Sequence, residues 1–290
     1  MSLLDAIVAP IVAPGFFTSG PVLTAAVIGG GAAIISGLVG VFTVIRGQSF
    51  AGHALADVSS AGGSVSFLLG INPLLGFLGV AVLAAGAMEL AGLRRASERD
   101  LVTGIVLGAG LGLTALFLYF DMSTQSTTGA AISVMFGSMF AIPATLIPLA
   151  LGVGAGAALI TGVIYRPLLL SSLHPDLAAV RGVPVRLIGL LHLLVLSLAV
   201  TLSAMTIGAI LSTALLIGPA ATALRLARRP GSAILLAMLI GLGATWGGIL
   251  LAYDSYDWTS GHSWPVSFFI VTIIFAAYLL SGLTALRARA

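Results

Sequence analysis

The chain has 290 residues, 59% of them hydrophobic and only 7% charged, with a mean hydropathy of +1.18. This excludes an ordinary soluble domain and defines a polytopic membrane protein. All 12 basic residues are arginines, set against nine acids, and the absence of cysteine excludes disulfides, thiolate metal ligands and thiol redox chemistry. A crossing takes about 20 apolar residues, so the length holds eight or nine spans and leaves no room for a soluble catalytic or nucleotide-binding domain.

Residues 1–21 carry Leu3, Leu4, Ile7, Val8, Phe16 and Phe17, interrupted by Pro10, Pro14 and Pro21. No positively charged region precedes them, so the expectation is an interfacial segment lying on the membrane surface, not a cleaved signal peptide. The remainder, 22–290, reads as a single transmembrane domain. Its first span runs from about Val22 to Ile45, rich in glycines that let helices approach closely, and Arg46 ends it.

The next segment, about Ser49 to Leu69, is the polar one. His53 and Asp57 stand four residues apart, hence one turn apart on one helix face, and Ser49, Ser60 and Ser64 extend that stripe. An ionisable group at mid-bilayer costs roughly 2.5–3.5 kcal/mol on insertion scales, so a helix with two of them in line faces a bundle interior or a water-filled path. Imidazole with carboxylate is also a ligand pair for first-row divalent metals. The structural alternative is a couple that pairs internally and only holds the bundle together.

Asn72-Pro73 marks the turn into a third span that ends near Leu93, where Arg94, Arg95 and Arg99 cluster with Glu98 and Asp100. Glu89 lies close enough to that end to reach the interface or the arginines, a structural role. The fourth span covers about Leu101 to Phe120. The polar loop after it, with Asp121, leads to a short helix broken around Gly137 and Pro143, and a fifth span follows from about Thr145 to Tyr165. Arg166 opens what reads as the longest polar internal loop, with Arg181 and Arg186. The sixth span, about Leu187 to Met205, contains His192 alone among leucines, which reads first as a buried hydrogen-bonded histidine. A seventh, 207–223, holds Gly208 and Pro219 as packing or gating positions and is closed by Arg225, Arg228 and Arg229. The eighth covers about Ser232 to Ala252. A loop with Asp254, Asp257 and His262 then leads to the last span, about Val266 to Leu283. Nine crossings with the amino terminus outside and the carboxyl terminus in the cytoplasm put every arginine on one side, as the positive-inside rule asks. Asp121, Asp254, Asp257 and His262 are then external.

Three segments in this order, RGQSFAGHALADVSSAGG (46–63), LHPDLAAVRGVPV (173–185) and GAILSTALLIGPAATA (208–223), resemble the metal-type ABC transporter permeases, the membrane subunits of bacterial zinc and manganese importers. The resemblance covers roughly residues 22–285, and the third segment is the most specific, close to the family's G-A-L-L-V-x-A-L-L-I-x-P-A-A-T-A. In the family the polar helix usually reads G-D-A-L-S-H-A; here Gly52-His53-Ala54-Leu55-Ala56-Asp57 exchanges the two donors while keeping both on one face. The internal loop, where the family favours D-P-E-L-A-x-x-x-G-V, reads His174-Pro175-Asp176-Leu177-Ala178 and then Gly182-Val183.

The resemblance implies an all-α permease of a bacterial inner membrane. Two copies of it would pair with two cytoplasmic ATPase subunits, with a solute-binding protein docking outside to deliver the ion. Residues 171–185 then correspond to the ATPase-coupling element, with Ser171, Ser172, His174, Pro175, Asp176, Leu177, Ala178, Gly182 and Val183 in it. His53 and Asp57 would hold the zinc or manganese ion in transit, along a path lined by Ser49, Ser60 and Ser64. No permanently bound cofactor and no nucleic-acid partner are implied; ATP belongs to the partner chain. The rivals are a permease for a metal chelate such as a siderophore or haem, and a proton-coupled carrier that uses His53 and Asp57 as a relay. An intramembrane metalloprotease would need a constellation such as H-E-x-x-H, which the sequence lacks.

Overall fold

The computed structural model describes residues 15–90, 96–124, 129–258 and 263–287. A 3₁₀ turn, Phe16–Thr18, precedes α1 (Gly20–Ile45). There follow α2 (Ser49–Leu69), α3 (Pro73–Leu90), α4 (Ala96–Thr124) and a short α5 (Ala130–Phe136). Two 3₁₀ turns, Met139–Ala141 and Ala144–Leu146, lead to α6 (Ile147–Leu173), the six-residue α7 (Pro175–Val180), α8 (Val185–Ile207), α9 (Ala209–Leu226), α10 (Pro230–Trp258) and α11 (Val266–Arg287). Eight of these helices are long and apolar enough to cross a membrane. The ninth long helix, α2, is the polar one.

The bundle is built around α1 and α8, whose apolar windows are 67% and 72% buried, against 22% for α4 at the periphery. α1 packs on α10, α9, α8 and α6, while α2 is enclosed by α3, α4, α8 and α9. Arg46 at the end of α1 bonds Ser171 and Ser172 at the end of α6 and lies beside Gly189 in the first turns of α8. Arg166, Arg181 and Arg186 lie on the same α6–α8 stretch, and Arg225, Arg228 and Arg229 lie where α9 gives way to α10, whose Gly231 approaches Tyr165 of α6. This end of the bundle is called the arginine end below.

The turn expected at Asn72-Pro73 is present. Gly70 (φ +66°) closes α2 in the left-handed region, Ile71 N–H donates to the Ser66 carbonyl at 3.0 Å, and the Asn72 side-chain oxygen accepts from Leu74 N–H at 3.0 Å to cap α3.

Four expectations change. The polar loop expected from Arg166 is helix as far as Leu173, with Pro167 inside it. Ile164, Leu168 and Ser171 bury one face at helical spacing there, and that packing outweighs the one backbone bond the proline removes. The loop expected after Ala252 is also helical, because α10 continues through Asp254 to Trp258. Asp121, expected in an exposed outer loop, sits on α4 and is fully buried. Gly208 is no helix-interior position: it is the single residue joining α8 to α9. Residues 1–14 of the expected interfacial segment lie outside the described residues, as do Arg94, Arg95 and His262 and the side chains of Glu98, Arg99 and Asp257.

The α8–α9 joint depends on two glycines. Gly208 (φ +88°, ψ +157°) and Gly137 (φ +78°, ψ +166°) both occupy a backbone region open essentially to glycine alone. They also interlock. A Cβ on Gly208 would collide with the Met135 carbonyl and the Phe136 backbone, and one on Gly137 would meet the Thr206 carbonyl and stand 2.6 Å from Gly208 N.

Alanine at 208 combines backbone strain with a backbone collision, each worth about 1–3 kcal/mol. Thermal unfolding in detergent is expected to show a severe loss for Gly208→Ala. Gly108→Ala, whose added methyl meets open space, should leave the transition where it is or raise it.

Candidate functional site

α2 enters the bundle through a three-residue turn, Arg46 to Gln48. Gly47 (φ +65°) reverses the chain, Gln48 N–H donates to the Thr43 carbonyl at 2.9 Å, and Gly52 N–H donates to the Gln48 carbonyl at 3.0 Å. At Gly52 the helix meets α9 so closely that a Cβ would stand 2.8 Å from Leu216 Cδ2. This approach brings the next residue, His53, within reach of α9, where its Nδ1 lies 2.9 Å from Thr213 Oγ1.

His53 Nε2 lies 3.5 Å from Asp57 Oδ2, so both ring nitrogens are engaged. The two side chains differ sharply in access: that of His53 is 40% exposed in the single chain, that of Asp57 only 7%. With the carboxylate beside Nε2, the arrangement fits the tautomer protonated on Nε2, leaving Nδ1 to accept from the Thr213 hydroxyl. The site is thus a carboxylate held inside the bundle behind an imidazole that opens outward.

Further along the same face, Ser60 Oγ lies 2.7 Å from Thr114 Oγ1 on α4 and 2.5 Å from the Asp57 carbonyl, and Ser64 Oγ donates to the Ser60 carbonyl at 2.8 Å. Both serines are buried. Ser49 is half-buried at the start of the helix. α4 reaches Ser60 because Gly110, one turn before Thr114, lies against the Val58 backbone; a Cβ there would be 2.6 Å from Val58 Cα. Gly62 of α2 and Gly76 of α3 approach just as closely, each leaving no room for a Cβ beside the other's carbonyl.

His192 makes no hydrogen bond to this polar face among the described residues. It is 1% exposed on α8, and its Nε2 has no hydrogen-bond partner among the described residues. Among the described residues no group of three or more His, Cys, Asp or Glu comes together that could hold a metal ion, so one chain offers the two donors His53 and Asp57.

At the arginine end, His174 stands between α6 and α7, and Pro175 starts α7. Ala178 is buried against the bundle, while Leu177 and Val180 project outward. The turn closes through Val183 N–H to the Ala178 carbonyl at 3.0 Å and Gly182 at φ +77°. Asp176 lies in the first turn of α7, where a carboxylate suits the helix dipole. Pro219 is buried inside α9.

Two site residues were not visible from the sequence, Thr213 and Thr114. Each sits in an apolar helix with no local signal. Only the glycines near the facing positions, Gly52 on α2 and Gly110 on α4, hint that a neighbour comes close.

The family model described as "ABC 3 transport family" matches residues 20–283. The chain belongs to the ABC 3 transport family. It is 31% identical over 242 residues to the manganese transport system membrane protein MntC of Halalkalibacterium halodurans, covering 83% of this chain and 80% of that protein. It is 28% identical over 233 residues to the high-affinity zinc uptake system membrane protein ZnuB of Haemophilus influenzae, covering 79% and 87%. Among solved structures, PsaBC from Streptococcus pneumoniae in complex with Fab superposes with a TM-score of 0.77 at 27% identity, covering 92% of each chain. This ABC 3 family member is accordingly a multi-pass transporter subunit and not an enzyme, the ATPase being a separate subunit in the family.

The tautomer is open to measurement. Histidine-selective ¹⁵N spectra of the metal-free protein are expected to show His53 with an unprotonated Nδ1. Thr213→Val should shift that resonance as the hydrogen bond is lost, while Thr213→Ser keeps it. A protonated Nδ1 would contradict this geometry.

Proposed function

We propose that this chain is the permease subunit of an ATP-driven importer for a divalent transition metal, zinc or manganese, in a bacterial inner membrane. Two copies work with two cytoplasmic ATPase subunits and an external solute-binding protein. The observation that carries this reading is the His53–Asp57 pair, one turn apart on a polar helix enclosed by the bundle, with the imidazole still 40% exposed in the single chain.

A neutral imidazole with a carboxylate suits zinc and accommodates manganese, and the lack of a dense oxygen cage disfavours calcium. Two donors from each of two chains would make the four that a tetrahedral ion prefers. Two per chain also suit a conduit, which must bind an ion and then release it. The relatives' names, a manganese and a zinc system, fit the same donor set.

In this reading the arginine end faces the cytoplasm and the amino terminus lies outside. Residues 22–290 form one permease domain, and α7 seats its exposed Leu177 and Val180 in the ATPase. Ser49, Ser60 and Ser64 line the polar face, Ser60 and Ser64 doing so from beneath Asp57. Gly208 and Pro219 set the course of α9, which carries Thr213 to the ion ligand. The runner-up, a permease for a metal chelate, gains nothing from a paired imidazole and carboxylate with one open face. A proton-coupled carrier would not need α7 to present apolar side chains.

Uptake of radioactive zinc and manganese into proteoliposomes holding this chain, its ATPase and its binding protein tests the reading, with ATP hydrolysis followed in parallel. His53→Ala and Asp57→Ala are expected to bring uptake down to that of empty vesicles while hydrolysis persists. Thr213→Val, which frees the ring that Thr213 orients, should weaken ion affinity about tenfold. Uptake that survives both alanine substitutions would make the pair structural. Uptake that continues without ATP would favour the proton-coupled carrier.

A further inference from the structure

Arg46 ends α1 and leads into the turn before α2, yet its side chain reaches a different part of the molecule. Its Nη1 donates to Ser171 Oγ at 3.2 Å and to Ser172 Oγ at 3.3 Å, both in the last turn of α6. The two hydroxyls give their own hydrogens to the Leu168 carbonyl, at 3.1 and 2.6 Å. A hydroxyl has one hydrogen and two lone pairs, so this backbone bonding turns the lone pairs toward the guanidinium. On the other side, a Cβ built on Gly189 in the first turns of α8 would stand 3.7 Å from Arg46 Nη2 and 3.7 Å from a carboxylate oxygen of Glu89. The guanidinium therefore lies between the two stems of the loop that carries α7, with the Glu89 carboxylate on the same small patch of α8. α6 leads into that loop and α8 leads out of it.

The backbone at Arg46 has little slack. Arg46 N–H donates to the Phe42 carbonyl at 2.9 Å, Gly47 N–H to Val44 at 3.1 Å and Gln48 N–H to Thr43 at 2.9 Å, while Arg46 Nε reaches Gln48 Oε1 at 3.3 Å. α2 begins immediately beyond, and His53 lies in its second turn. Displacing the α6 stem thus pulls on a side chain fixed to the head of the helix that carries His53 and Asp57, and displacing the α8 stem changes the wall it lies against.

We propose that Arg46 is the positioning residue that transmits motion of the α7 loop to α2, linking ATP hydrolysis in the partner to the ion site. This rests on the reading of residues 171–185 as the coupling element. Lysine is a poor substitute, because one ammonium on a flexible stem cannot span two stems as a planar fork does. The contact to Ser171 and Ser172 makes the three side chains one link, so their losses should not multiply.

The test measures ions transported per ATP hydrolysed in the full reconstituted complex, using radioactive zinc and manganese. Arg46→Ala is expected to lower that ratio about tenfold, within the 5–150-fold range of ordinary coupling energies, while hydrolysis continues. Arg46→Lys should recover part of the loss. Ser171→Ala with Ser172→Ala should lower the ratio several-fold, and adding Arg46→Ala to that pair should give no more loss than Arg46→Ala alone. Size-exclusion profiles of the lysine and double-serine variants check assembly, since both keep the local packing. An unchanged ratio, or uptake and hydrolysis falling in the same proportion, overturns the proposal, as does a triple variant whose losses multiply. Leu177→Asp separates the underlying reading. If it leaves hydrolysis responsive to the loaded binding protein, the loop is not the coupling element and the proposal falls with it. If it abolishes that response while Arg46→Ala leaves the ratio intact, the loop reading stands and the role of Arg46 alone fails.

Discussion

The structure depends on enclosing one helix that lipid would reject. α2 carries His53, Asp57 and five serines within 21 residues, and no arrangement with that surface facing hydrocarbon is affordable. Two devices solve the problem. Ser59, Ser60, Ser64 and Ser66 return their hydroxyl hydrogens to carbonyls three or four residues back, so the helix satisfies much of its own polarity. The neighbours then close in, at backbone range through notches at Gly62, Gly76 and Gly110 and with the Leu216 side chain at Gly52. In membranes such interhelical contacts are held by packing and by hydrogen bonds worth about 0.6 kcal/mol each on average, so close fit matters more than any single polar bond. Along the polar stripe, access survives at Ser49 and at His53, where the enclosure stops short of the imidazole.

The exchanged order of the two donors acquires a spatial meaning in this frame. Four residues of helix amount to about 6 Å of axial rise. Relative to the family's usual order, histidine here takes the position nearer the arginine end and aspartate the deeper one. The imidazole is therefore the exposed member and the carboxylate the enclosed one. Thr213 completes the pattern by holding the exposed ring from α9, while Asp57 is held by burial.

Much of this was legible from the residues. The polar helix, the Asn72-Pro73 turn and the long apolar helices all announce themselves through periodicity and breakers, which are local signals. The misread segments share a different physics. Arg166 and Pro167 look like a helix end, yet the burial of Leu168 and Ser171 carries α6 onward to Leu173. Asp254 looks like loop, yet it rides on a helix whose neighbour Ser255 is buried and accepts from Trp264 N–H at 2.9 Å. Asp121 looks solvated and is fully enclosed. In each case tertiary packing overrules the local preference. The partners Thr213 and Thr114 were invisible for a related reason: a lone threonine in an apolar helix gains meaning only from the helix opposite.

The one-residue joint at Gly208 fixes where α9 starts relative to α8, and distances along α9 can be counted from it. Thr213 lies five residues from the joint and Arg225 seventeen, about 7.5 Å and 25 Å at helical rise. A tilt of about 10° would carry Thr213 through only ~1.3 Å but Arg225 through ~4.5 Å, by the same rise per residue. Arg225 is gripped at the far end by Tyr278 of α11, through a hydrogen bond and through its ring, 3.9 Å from the guanidinium carbon. The nearer of the two thus sits at the imidazole and the farther where the helix is clasped. For any tilt of α9 as one body about this joint, the arginine end would travel more than three times as far as Thr213, the partner of His53, by the same rise per residue.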